Sequence, residues 1–157
     1  MAYTSIDDPS AYFKVQLYTG DGYSSKAITF DDTDTNMQPD FVWIKRRDDA
    51  DSHMLYDSVR FDGSNAYWLQ ANVNSLEGSD RPLTAFGSDG FTIGSNNSAL
   101  NANTSTYVAW CWKKTADAGF DIVTATGNAT AKTISHSLSA VPHWMISKER
   151  TGSVNDW

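Results

Sequence analysis

Cysteine, proline, glutamate, basic residues and long apolar runs are all scarce in this sequence, and each shortage removes a class of protein. The lone cysteine, Cys111, has no partner for an internal disulfide, so a disulfide-stapled scaffold is excluded. It sits between Trp110 and Trp112 in a strand-like run and reads as a small buried hydrophobe rather than a nucleophile. No apolar run approaches the about 20 residues that a membrane-crossing helix needs, so no membrane partner is expected. Residues 1–8 have neither the basic start nor the apolar stretch of a secretory signal. Lys and Arg number 12 against 19 Asp and Glu, a net charge of −7. Such a chain offers phosphates no dense basic patch, and nucleic acid is excluded as a partner.

Chemistry-bearing motifs are equally scarce. The sequence lacks a Gly-x-Ser-x-Gly elbow, a Walker-type glycine loop, His-Glu-x-x-His and Cys-x-x-Cys. Its histidines, His53, His136 and His143, have no i,i+4 partner for a metal. Only two glutamates occur, Glu77 and Glu149, which is poor material for the paired carboxylates of glycoside hydrolysis. From Asp32 the sequence opens like a calcium-binding EF-hand loop. It then puts Met37 where glycine must turn the chain and Trp43 where a bidentate glutamate must stand. That acidic stretch therefore reads as a solvated turn. So does Asp48-Asp49-Ala50-Asp51, with Arg46 and Arg47 nearby to balance it. No enzyme activity, no metal and no cofactor are expected.

Aromatic residues are abundant: six Trp, seven Tyr and seven Phe. Each buries about 150–250 Å² when packed, enough to build a core and exclude intrinsic disorder. Most should be core or subunit contacts. Tyr23, Tyr67 and Trp68 lie beside polar loops and are the candidates for stacking on sugar rings.

Periodicity is that of strands. Asp8 and Pro9 suit the cap and first position of one helical turn over residues 9–13. Strand patterns follow at 13–18, with Phe13, Val15 and Leu17 on one face, and at 27–30, 41–47, 53–59 and 66–71. Residues 72–81 read as loop. Residues 83–86 and 91–93 read as a hairpin whose Asp89-Gly90 pair supplies the positive φ of a tight turn. The strand at 106–113 is apolar on both faces, Val108, Trp110 and Trp112 against Tyr107, Ala109 and Cys111, which places it inside a sheet or between layers. No long stretch has the 3.6-residue period of an amphipathic helix. Short strands with frequent turns predict an all-β antiparallel sandwich or jelly roll over residues 1–114. Val42, Ile44, Phe91, Val108 and Trp110 are expected in its core.

Residues 115–157 appear as the opening strands of a second, similar repeat. Phe120 and Gly127 echo Phe13 and Gly20, and residues 142–150 shadow 39–47, with Trp144, Ile146, Lys148 and Arg150 in the places of Phe41, Trp43, Lys45 and Arg47. Strands are expected near 120–126, 132–136 and 144–150. Their missing counterpart sheet would leave an apolar edge bare; later residues of the same protein, other copies or a different protein could cover it. The favoured expectation is packing on neighbouring subunits or such a partner, with Trp144 and Trp157 at the interface.

Six blocks carry a resemblance: residues 3–13, 38–45, 56–60, 88–95, 107–113 and 150–157. Together they resemble a lectin-like, concanavalin A-type sandwich domain of virion structural proteins in tailed, chiefly marine, bacteriophages. That resemblance implies a virion protein assembled in the host cytoplasm, most naturally part of a tail fibre or related appendage and contributing to host attachment. Its partners would be other virion proteins and copies of itself, as a homotrimer, with host surface glycans as a further ligand. The alternatives are a head-fibre or capsid-decorating protein and a glycan-binding receptor-recognition module. In that family the domain often repeats in tandem, and the block ending at Trp157 normally continues.

Overall fold

The computed structural model describes residues 6–153, 155 and 157. Residues 3–5 of the first resemblance block, and Val154 and Asp156 of the last, lie outside the described residues. Eight antiparallel strands form the domain: β1 (Phe13–Thr19), β2 (Lys26–Thr29), β3 (Phe41–Arg46), β4 (Met54–Asp57), β5 (Ala66–Gln70), β6 (Gly78–Gly87), β7 (Gly90–Ile93) and β8 (Thr106–Trp112). They make one sheet in the order β1-β8-β3-β4-β5-β6-β7-β2. The fold is all-β and sandwich-like. Its α-helix, α1, is the single turn Ser98–Asn101. Pro9–Ala11 forms a 3-10 turn with Asp8 as its cap, accepting from Ser10 N, as the Asp-Pro pair predicts.

β5 turns the corner. It pairs with β4 through Met54–Gln70 and Leu55–Leu69, then with β6 through Ala66–Leu83 and Trp68–Gly78, with a register shift between the latter pairs. Two residues of β5 here stand against five of β6, and such a bulge bends a strand where one layer gives way to the other. Between them lie Val42, Ile44, Met54, Tyr56, Tyr107, Ala109 and Cys111 from one layer and Ile28, Leu83, Phe91 and Ile93 from the other. Two buried phenols are satisfied by backbone: Tyr56 donates to Arg81 O at 2.7 Å, and Tyr107 donates to Ser98 O at 2.7 Å while accepting from Ala102 N. Each alternative partner would be water, which the core excludes.

Four local expectations need correction. In the β6–β7 hairpin Gly87 pairs with Gly90, so the turn residues are Ser88 and Asp89. Gly90 belongs to the strand, at φ +136°, where a Cβ would sit 2.0 Å from Ile28 O. β6 begins at Gly78, inside the expected loop, because it follows β5 around the corner. Val108 and Trp110 are half-buried rather than core, since β8 turns Tyr107, Ala109 and Cys111 inward. Within residues 115–153 the described pairing is a single bridge, Thr115–Phe120, and no strand forms at 120–126, 132–136 or 144–150. Strands need a ladder of hydrogen-bonded neighbours, and among the described residues this stretch has only isolated backbone contacts such as Glu77 N to Arg150 O.

Candidate functional site

β1 sets up the site by facing the other way from a usual amphipathic strand. Lys14 and Gln16 point inward and are buried, whereas Phe13, Val15 and Leu17 point outward, 40%, 48% and 53% exposed. The physical reason is the position of β1 at one edge of the sheet with β2 at the other. The chain leaving β2 passes beneath β1, where Asp32 pairs with Lys14 and Asp31 N donates to Gln16 Oε1 at 3.1 Å. Polar side chains close the seam, so the apolar ones are left outside.

The next two strands extend that outer surface. By register, Phe13 lies beside Trp112 and Trp112 beside Phe41; Val15 beside Trp110 and Trp110 beside Trp43; Leu17 beside Val108 and Val108 beside Lys45. Three rows across three strands give nine positions, and eight are apolar. Rings meet along the rows: Phe13–Trp112 at 4.9 Å, Phe41–Trp112 at 5.5 Å and Trp43–Trp110 edge-on at 5.7 Å. Such contacts hold the rings in fixed orientations, so the face is pre-organised.

Its rim is polar. His53 Nδ1 accepts the Trp43 Nε1–H at 2.9 Å, and burial together with nearby Lys45 lowers the His53 pKa below its usual range. Lys45 Nζ is occupied by the carbonyls of Arg46 and Asp49. At the opposite end the Thr115–Phe120 bridge folds Phe120 back onto Phe41 at 6.0 Å and Trp112 at 6.4 Å. Beyond β4 stands a nearly dry ionic cluster. Arg60 donates to Asp57 at 2.6 Å and Glu77 at 2.8 Å, and Arg150 joins Glu77 at 3.3 Å. An aromatic centre depleted of charge within a polar rim is the anatomy of a protein interface.

The sequence-derived candidates lie elsewhere. Tyr23 is 72% exposed in the turn after β1, tied to Asp21 and Asn101. Tyr67 and Trp68 are on β5, four strands from β1 along the sheet, so the three rings share no platform. Trp68 Nε1 donates to Asp80 at 2.8 Å, Arg81 lies 5.3 Å over its ring, and Gly78 backs the ring. Trp144 is 81% exposed; Trp157 is exposed too, with Nε1 donating to Gln70 O at 2.8 Å. The outer face went unseen because alternation on β1 looks the same whichever side turns inward. One signal was present: β8 is apolar on both sides, and only one side can meet the core.

The thiol and the two glutamates are engaged. Cys111 is fully buried, and burial pushes its thiol far above the ordinary range. The Glu77 carboxylate is a counter-ion to two guanidiniums, and Glu149 accepts from Ser153 N and Asn155 Nδ2. Among the described residues no group of three or more His, Cys, Asp or Glu is placed to hold a metal ion, and no helix is long and apolar enough to cross a membrane.

Fold and surface together describe a β-sandwich-like domain with one outward apolar sheet face. The chain belongs to the family described as Domain of unknown function (DUF7483), whose model matches residues 8–157. No curated protein and no solved structure matches it.

Proposed function

We propose that this chain is a non-enzymatic structural or adhesion protein of a tailed-bacteriophage particle, a component of a tail fibre or related appendage. The observation that carries the reading is the apolar face of β1, β8 and β3. Eight apolar positions on one sheet surface, five of them aromatic, suit a protein that works by contact. The resemblance of six sequence blocks to phage sandwich domains supports that location, and the all-β architecture is compatible with it.

Immunogold electron microscopy of particles from the phage that encodes the chain tests this. Label on the tail appendage is the expected result. Label on the capsid would transfer the protein to the head-fibre reading, and particles without label or matching peptides would overturn the virion assignment. Exposed Phe13 and the half-buried rings beside it also suit sugar stacking. Binding on a glycan array that is lost in Trp110→Ala would make host recognition the task of the same face.

A further inference from the structure

Two apolar surfaces of this chain are incompletely covered, one of them meeting only Phe120 at its Phe41–Trp112 end, and we propose that each is the other's partner between copies: residues 141–146 of one copy lie on the β1-β8-β3 face of a second. The inference rests on the reading of that face as an assembly surface and names its occupant.

Residues 141–146 carry Val141, Trp144, Met145 and Ile146, all exposed, on a stretch with no regular structure. Four large apolar side chains within six residues are a concentrated docking element. The segment also carries the side-chain order of β3, with Trp144 in the place of Phe41 and Ile146 in that of Trp43. In β3 those are the side chains that meet Trp112 and Trp110 on the face. The segment therefore carries side chains of the same kind as those that pack along the face.

Charge favours a second copy. Each chain carries −7, so copies repel unless the contact omits carboxylates. None occurs among the nine face positions, and none within residues 141–146.

Exposure decides between the same chain and another. The segment's far end is held beside β5: Glu77 N donates to Arg150 O at 3.1 Å, Arg150 pairs with the Glu77 carboxylate, and Trp157 donates to Gln70 O. β3, the near strand of the face, is only two strands from β5, about 10 Å at the usual strand spacing, yet Val141, Trp144, Met145 and Ile146 are all exposed. The segment does not lie on its own chain's face and is free to meet a neighbour's.

Sedimentation velocity on the full chain and two variants tests the proposal. Val15→Lys places a charge on the face, and Trp144→Asp places one on the segment; both sites are solvent-exposed, and circular dichroism verifies folding. The wild-type chain should associate, and each variant should weaken association more than tenfold. Mixing the two variants should restore a two-chain species, because one copy retains an intact face and the other an intact segment. A wild-type chain monomeric to about 100 μM, association unaffected by Trp144→Asp, or a mixture that stays monomeric overturns the proposal. Immunogold location is indifferent to these results, so failure here leaves the virion reading to its own test.

Discussion

Lys14 Nζ meets Asp32 Oδ1 across the seam between the two edge strands, with Lys14 only 5% exposed and Asp32 open to solvent. One ion pair thus fixes which way β1 faces, and with it the apolar outer surface. Phe30 lies beneath the same ammonium, its ring centroid 5.4 Å away.

Removing Asp32 should therefore hurt more than removing both charges. Asp32→Ala leaves a buried ammonium without its anion, whereas Asp32→Ala combined with Lys14→Met substitutes an apolar chain of similar length. Urea unfolding should rank the single variant below the double. A double variant no more stable than Asp32→Ala would show that the pair does not hold the seam.

Trp43 and His53 make the rim sensitive to acid. Nδ1 of His53 must stay unprotonated to accept the indole N–H, and its pKa is lowered in the folded chain. A depressed folded pKa means that the unfolded state takes up the proton first. The contribution is complete above the ordinary histidine value of about 6.5 and is lost as the pH falls through the lower folded value. The melting temperature should drop on acidification from pH 7.5 to 5, and His53→Gln should flatten that part of the curve. An identical pH profile in the variant would remove His53 from the account.

Gly78 backs the Trp68 ring so closely that a Cβ would stand 2.1 Å from its Cζ2. Gly78→Ala should displace the indole, break its bond to Asp80 and cost about 1–3 kcal/mol as an overpacked contact. Guanidinium unfolding measures the cost, and a shift in tryptophan emission reports the ring. Unchanged emission and stability would place the ring elsewhere.

Glu77 holds two arginines of different burial, Arg60 and the more open Arg150. Glu77→Ala strips a partner from buried Arg60 and should cost about 1–3 kcal/mol. Arg150→Ala should cost under about 0.5 kcal/mol yet speed protease cleavage within residues 121–149. Equal effects of the two on global stability would contradict this division.

Cys111 should not react with a water-soluble disulfide reagent in the folded chain and should react stoichiometrically in denaturant. Its burial and raised pKa both withhold the thiolate. Rapid labelling under native conditions would mean that β8 opens to solvent.

Local chemistry determined much of this protein. The Asp8-Pro9 start, the period-2 strands, the two-sided apolarity of β8 and the burial of Val42, Ile44, Phe91 and Cys111 all follow from residue type and spacing, because they depend on neighbours in sequence. Alternation names two faces of a strand without saying which turns inward. That choice for β1 came from its place at the sheet edge, where Lys14 and Gln16 meet Asp32 and Asp31 from beyond β2. The outer apolar face, the separation of Tyr23 from Tyr67 and Trp68, and the cluster linking Arg60, Glu77 and Arg150 have the same origin. Each joins residues far apart in sequence, and only strand order and the bend at β5 set the distances between them.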